Sequence, residues 1–349
     1  MESFKVMVVG AGPVGMVLAH ALQVSGIDYV LVEQRSQIPP DPAYGLFLWP
    51  HIMRIFHQLG LLEAVTAVAQ PMVEAVHRSI DGSVIHRSRG FEELGALFGY
   101  PMAIFNRGDF ASALMSKLEN KGQRVKTNKR LTNVIHRDNG VTVEFVDGTI
   151  EEGSIVIGCD GVWSSVRDQM KAKAPKGLFD ENPNPFQAPH AGVFAKAPCP
   201  KELERGIYWS ERSTNYCLSS YSDFENEDVL WTERCCGIED AIALVNGLSR
   251  LLHSEANPPE RKLRQAFLAY QYEREAAAKL WNDISALNLE LCIGADQPAL
   301  KAQGIADYRT VPLVANGPIL QNIPFDEKRG FVPWTRKTRE FDEKTKARL

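Results

Sequence analysis

Hydrophobic residues along this chain keep two rhythms, and each change of rhythm marks an element. Phe4 to Val9 is a continuous, Val-rich run of strand length, the pattern of a parallel strand covered on both faces. It stops at Gly10. Val14, Val17, Leu18, Ala21 and Leu22 then recur at helical spacing until Gly26, a helix-stop signal. Tyr29 to Val32 is a second buried run, and it ends on Glu33. The pattern predicts a strand-helix-strand unit at the head of the chain.

Farther along, a helix over about 51–59 shows Ile52, Ile55, Phe56 and Leu59 on one face and is closed by Gly60. Val73 to Ile80 and Ser83 to Arg87 flank Asp81-Gly82, a hairpin signal. Tyr100 to Phe105 reads as a strand leading into a helix with Phe110, Ala113, Leu114 and Leu118, for which Asp109 is the expected cap. Leu131 to His136 and Val141 to Val146 form a strand pair joined through Asp138-Asn139-Gly140, and Ser154 to Gly158 is another buried strand. From Lys171 to Pro200 the chain turns rich in Pro, Lys and Asn, which marks a domain change. Beyond it, His190 to Lys196, Gly206 to Trp209, Tyr216 to Tyr221 and Val229 to Thr232 read as strands of a second, antiparallel layer.

Two amphipathic helices follow. The first carries Ile238, Ala241, Val245, Leu248 and Leu252. The second begins at Asn257-Pro258-Pro259-Glu260, a cap and first-turn signature, and carries Leu263, Phe267, Tyr270, Ala277, Trp281 and Ile284, a stripe read as core. The residues from 335 to 349 alternate charges, the pattern of a solvated tail. The fold expected is α/β: a Rossmann-like dinucleotide-binding domain with a parallel sheet over 1–170, carrying inserted hairpins at about 73–105. An antiparallel β-sheet substrate domain over 171–236, helices over 237–290 packing back on the first domain, and a partly disordered tail over 291–349 complete it.

Composition narrows the classes. The chain has 349 residues, 44% of them hydrophobic, enough for a well-buried core and one or two domains. A net charge of −4 gives no electrostatic reason to expect nucleic acid. No apolar run reaches the length of a membrane span, and the first residues already read as strand, so no secretory signal is expected. The six cysteines (Cys159, Cys199, Cys217, Cys235, Cys236, Cys292) lack zinc-ligand spacing and read as reduced thiols of an intracellular, cytoplasmic protein. No metal site is expected.

The candidate chemistry sits where the first strand ends. Gly10-Ala11-Gly12-Pro13-Val14-Gly15 is Gly-x-Gly-x-x-Gly: Gly10 for a tight turn, Gly12 for close approach of backbone N–H groups to a pyrophosphate, Gly15 for close packing of helix on strand. The helix N-terminus adds oriented N–H groups and partial positive charge. Glu33 is placed to accept hydrogen bonds from ribose hydroxyls. Cys159-Asp160-Gly161-Val162-Trp163-Ser164-Ser165-Val166-Arg167 repeats the strand-to-helix transition, with an acid and a glycine where open parallel sheets bind ligands; a turn with an Asp cap reads equally well.

Taken together these residues resemble FAD-dependent monooxygenases of the aromatic-hydroxylase type, particularly the fungal branch of secondary metabolism. The resemblance rests on Gly10 to Gly15 with Glu33, on Asn106-Arg107 before a helix, and on Cys159-Asp160-Gly161 with Ser164 and Arg167. Trp49-Pro50 through Gln58-Leu59-Gly60, Ile238-Glu239-Asp240-Ala241, and Tyr270-Gln271-Tyr272-Glu273-Arg274 are similar to further family segments. It implies FAD and NADPH as cofactors, O2 and a small organic molecule (prenylated, terpenoid or polyketide-derived) as substrates, and epoxidation or hydroxylation as the reaction. Gly10, Gly12 and Gly15 would cradle the FAD pyrophosphate and Glu33 its ribose. Arg107 would face the phosphate or flavin, and Asp160 and Gly161 would lie at the cofactor groove. No catalytic residue is assigned, because the flavin supplies the difficult chemistry. Tyr208, Tyr216 and Tyr221 are candidates for orienting a substrate.

Two departures from the family stand out. The backbone-to-flavin approach that the family makes near the position of Phe47 has only Gly45 nearby. The family's Gly-Asp-x-x-His segment, which precedes the helix opening Ile238-Glu239-Asp240-Ala241, is missing: Val229 to Gly237 runs directly into that helix. The alternative expectation is therefore a degenerate or truncated member that binds ligand without redox turnover. An NAD-type dehydrogenase on the same nucleotide unit lacks a Tyr-x-x-x-Lys pair and is disfavoured.

Overall fold

The computed structural model describes residues 3–38, 45–79, 81–178, 207–212, 217–220, 235–292 and 320–321. The chain opens with β1 (Lys5–Val9), α1 (Pro13–Val24) and β2 (Asp28–Val32). It continues through β3 (Gly45–Leu48), α2 (Pro50–Gln58), α3 (Leu62–Thr66), β4 (Ala69–Met72), β5 (Glu74–Ser79), β6 (Val84–Ser88), α4 (Gly90–Phe98), β7 (Met102–Asn106) and α5 (Arg107–Ser116). Next come α6 (Lys121–Arg124), β8 (Val125–Lys126), β9 (Leu131–Arg137), β10 (Gly140–Phe145), β11 (Ile150–Gly153), β12 (Ile155–Gly158) and α7 (Ser165–Lys173). Then follow β13 (Ile207–Arg212), β14 (Cys217–Ser220), α8 (Cys235–Ser254) and α9 (Glu260–Cys292).

The continuous apolar runs become a parallel sheet in the order β12-β1-β2-β8. Both faces are covered, and the two-residue period of the strand decides which side chain goes where. Val6, Val8, Tyr29 and Leu31 point into a large core with α1, α2, α5 and α8. Met7, Val9, Val30 and Val32 point into a second core with Leu131, Val134, Val141, Val143 and Phe145 of the antiparallel sheet β11-β10-β9. Full burial of Leu18 and Leu22 on α1 stabilises the first core by about 1.5–3 kcal/mol each. The fold class is α/β, as the hydrophobic pattern indicates.

Strand order fixes where a ligand can enter. After β1 the chain moves to β2 on one side, whereas β12 lies against β1 on the other side. The order in which strands are added therefore reverses at β1, and the crevice at the carboxyl ends of β1 and β12 is the place where open parallel sheets bind ligands.

Three expectations need correction. The cap of α5 is Asn106, not Asp109: Asn106 Oδ1 accepts from the Gly108 N–H at 2.8 Å and approaches the Asp109 N–H at 3.5 Å. Asp109 instead lies in the first turn, where its charge suits the helix dipole. In the second layer β13 and β14 pair antiparallel, as expected, but the sheet they join is mixed, in the order β14-β13-β5-β6. β13 returns after a long excursion and pairs parallel with β5, a geometry a short hairpin cannot make. The hairpin strands β5 and β6 thus share a sheet with β13 and β14, and α7 runs past 170 to Lys173. Finally, the apolar stripe of α9 is not fully core: Leu263, Phe267 and Tyr270 are half-buried against the main core, while the side chains of Trp281 and Ile284 lie outside the described residues. The strands expected at 190–196 and 229–232, together with Tyr216, Tyr221 and the tail over 335–349, lie outside the described residues.

Candidate functional site: a dinucleotide crevice

Three glycines at the end of β1 are glycine for three different reasons. Gly10 has φ +103°, in the region side chains avoid, and a Cβ there would meet the Cys159 carbonyl oxygen at 2.6 Å. A Cβ on Gly15 would land on the Gly10 carbonyl oxygen, with the Cys159 side chain just behind it. Gly12 has φ −72°, open to any residue, and among the described residues nothing lies within 4 Å of the Cβ it would carry. Neither its conformation nor the packing of the described residues demands a glycine at 12. A ligand approaching the backbone would, and the open space beside the α1 N-terminus fits a pyrophosphate.

Pro13 occupies the first turn of α1, where no N–H is missed, and the Gly12 carbonyl accepts from the Met16 N–H at 3.0 Å. The turn is tied to both neighbouring strands. The Gly10 N–H donates to the Val32 carbonyl at 2.8 Å, and the Cys159 N–H donates to the Val9 carbonyl at 2.7 Å. Glu33 closes the group: its Oε2 accepts from the Ala11 N–H at 3.0 Å and its Oε1 from the Arg35 N–H at 3.0 Å. The carboxylate is thus held against the glycine turn by backbone donors, with further lone pairs left over for a ribose.

The β12 side of the crevice is equally fixed. Asp160 Oδ1 accepts from Ser164 Oγ at 2.5 Å, and Oδ2 accepts from the Val166 N–H at 3.2 Å. Ser164, the α7 cap, accepts from the Arg167 N–H at 3.0 Å. The capping reading of Asp160 is therefore realised through Ser164, and it holds the exposed Gly161 (φ +81°) at the mouth of the crevice. Burial, with the Asp160 charge adding to it, pushes the Cys159 thiol up to about 12, so this cysteine is an uncharged wall.

Gly10, Gly12, Gly15, Glu33, Asp160 and Gly161 come together at this crevice. Gly45 and Arg107 form a second group: the β3–β7 register sets Gly45 opposite Asn106, and half-buried Arg107 begins α5. The two groups are linked through α1, where His20 Nε2 donates to the Leu114 carbonyl of α5 at 2.9 Å. Tyr208 lies on β13.

One constellation was not read from the sequence. Glu239, 1% exposed, lies 2.8 Å from His51 Nε2 and accepts from Arg274 Nη2 at 2.6 Å, while Arg274 Nε donates to Asp240 at 2.7 Å. Burial alone would raise Glu239, but His51 and Arg274 more than offset it and hold the carboxyl below its usual range. For Asp240 burial prevails over Arg274, and its carboxyl is raised. The signal was in the two segments Ile238 to Ala241 and Tyr270 to Arg274, but nothing in either says that they meet. Among the described residues no cluster of His, Cys, Asp and Glu could hold a metal ion, and no helix is long and apolar enough to cross a membrane.

A switch-point crevice with this glycine turn defines the dinucleotide-binding class of α/β protein. The family described as FAD binding domain matches residues 3–204, and the chain belongs to that family. It is 25% identical over 446 aligned residues to the FAD-dependent monooxygenase srdH of Neurospora crassa, covering 96% of this chain and 99% of that one. It is 29% identical to ausM of Penicillium brasilianum and 36% identical to aurC of Calcarisporium arbuscula, both also FAD-dependent monooxygenases. Those two matches take in 66% and 48% of this chain but span only 48% and 34% of the relatives' own length. Among solved structures the fold is shared with Klebsiella pneumoniae HpxO complexed with FAD and uric acid (14% identity, 90% of this chain and 93% of that chain, TM-score 0.65). It is shared too with p-nitrophenol 4-monooxygenase PnpA of Pseudomonas putida (15% identity, 90% and 98%, TM-score 0.66).

Proposed function

We propose that this chain is an FAD- and NADPH-dependent monooxygenase that transfers one oxygen atom of O2 to a small organic substrate, by epoxidation or hydroxylation, in fungal secondary metabolism. The observation that carries the reading is Gly12: a glycine that nothing among the described residues demands, beside a helix N-terminus, with free space where a pyrophosphate would lie. The names of the fungal relatives support the reaction class. When bound, the flavin reduced by NADPH supplies oxygen activation; the residues of this chain bind, orient and exclude water. The N–H groups at the start of α1 would receive the pyrophosphate, Glu33 the ribose, and Arg107 the phosphate or flavin side. Asp160 holds the β12 loop in place through Ser164 and Val166, leaving Gly161 to meet the cofactor. The substrate would belong to the prenylated, terpenoid or polyketide-derived class, with the sheet β14-β13-β5-β6, on whose strand β13 Tyr208 lies, as its candidate face.

An absorbance spectrum of the purified protein with added FAD, before and after NADPH, tests this. Protein-bound flavin bands that bleach with NADPH, and NADPH consumption that rises with added substrate, are expected. A protein that stays colourless after FAD is added overturns the proposal. A second reading, a ligand-binding member without redox turnover, is favoured by one observation: no Gly-Asp-x-x-His stands before α8. The 446-residue span of the srdH alignment, longer than this 349-residue chain, supports the view that a segment is lacking. Each missing charge-assisted hydrogen bond would weaken FAD by about 1.5–3 kcal/mol, roughly tenfold to a hundredfold. Tight flavin binding with NADPH oxidation indifferent to every substrate offered would select this second reading.

A further inference from the structure

The buried ionic group lies two residues from the point where α8 touches the glycine turn. A Cβ on Gly237 would come within 2.7 Å of Val14 Cγ2, so the amino end of α8 is pressed directly onto the first turn of α1, between Gly12 and Gly15 in sequence. That contact is a valine against a bare backbone, at the end of an apolar seam in which Ile238, Ala241, Ile242 and Val245 share the main core with α1. The polar ties from α8 to α2 and α9 begin two residues on. There both oxygens of Glu239 are engaged, one with His51 of α2 at 2.8 Å and one with Arg274 of α9 at 2.6 Å, and Arg274 spans to Asp240 at 2.7 Å. His51, Glu239 and Arg274 are all buried. Buried ion pairs are poor devices for bulk stability, because desolvation cancels most of their attraction; their best-attested use is to fix register.

We infer that Glu239 is a positioning residue for the cofactor loop: through His51 and Arg274 it fixes the amino end of α8 against Val14, and thereby the shape of the turn from Gly12 to Gly15. The inference rests on the FAD-binding reading for its consequence, but the coupling itself is a property of the flavin-free chain. Three substitutions separate the parts. Glu239→Gln removes the charge at near-constant volume. Arg274→Lys keeps the charge but cannot reach both carboxylates, and Gly237→Ala leaves the ionic group whole while pushing on Val14.

Hydrogen exchange on the flavin-free protein should show the amides of 14–16 and of the first turns of α8 exchanging at least tenfold faster in Glu239→Gln, with the β9–β10 pair unchanged. In FAD titrations well below each melting temperature, the dissociation constant should rise at least tenfold in Glu239→Gln and in Gly237→Ala, with Arg274→Lys in between. Exchange that rises evenly over the whole chain, or flavin affinity equal to that of the parent in all three variants, overturns the inference and leaves the FAD reading standing. A parent chain that binds no flavin overturns the FAD reading, while the exchange pattern still decides the coupling. Should Glu239→Gln fail to fold, the two other variants carry the same readouts.

Discussion

Gly12 and Gly15 are three residues apart and answer to opposite demands, so their substitution separates folding from binding. Gly12→Val should leave the flavin-free melting curve close to that of the parent, because the added atoms enter open space, and should abolish FAD binding in a fluorescence titration. Gly15→Val should lose both, since its side chain must displace the Gly10 backbone against a packed core. His20 carries a pH dependence of known sign. Burial lowers it from 6.5 to about 4, and its hydrogen bond to the Leu114 carbonyl opposes this only in part. The unfolded chain therefore binds the extra proton between those values, and this stabilisation is complete above about 6.5 and is lost as pH falls toward 4. By the size of that shift, urea denaturation should show the parent losing about 3 kcal/mol more than a His20→Gln variant between pH 7 and pH 4.

At the scale of elements, the capping of α5 is the clearest case of a local rule read one step out of place. Asn-Arg-Gly-Asp holds two good caps, and only the β7 backbone running to Asn106 selects the first. Asn106→Ala should cost about 1 kcal/mol in a chemical melt, whereas Asp109→Ala should cost only a few tenths from the lost dipole interaction. The β-α-β unit, by contrast, was legible almost to the residue, because buried parallel strands and an amphipathic helix carry their periods in the sequence itself. The parallel pairing of β13 with β5 was not. A strand's own pattern states which face is buried but not which partner it takes, and strands 207–212 and 74–79 are far apart along the chain.

For the whole molecule, FAD binding and folding are linked. A ligand that binds only the native state adds about 2.7 kcal/mol of stability at a hundredfold excess over its dissociation constant. Thermal melts with saturating FAD should therefore rise by several degrees in the parent and by nothing in Gly12→Val. Flavin addition that leaves the parent's melt unmoved would mean that the crevice between β1 and β12 is not a cofactor site.

What the residues determined unaided is whatever depends on near neighbours: the apolar periods, the glycine turn, Glu33 at the end of its strand, and the paired cues at Asn106-Arg107 and Cys159-Asp160. Those signals are local because steric limits on the backbone and burial of one face act over a few residues. Tertiary structure alone decided that, among the described residues, nothing packs against Gly12 while Gly10 and Gly15 are hemmed in by backbone. It alone brought His51, Glu239 and Arg274 into one buried cluster near the glycine turn. The reason is distance. Charges separated by some two hundred residues of chain meet only after helices have packed, and until then nothing distinguishes them from charges bound for solvent.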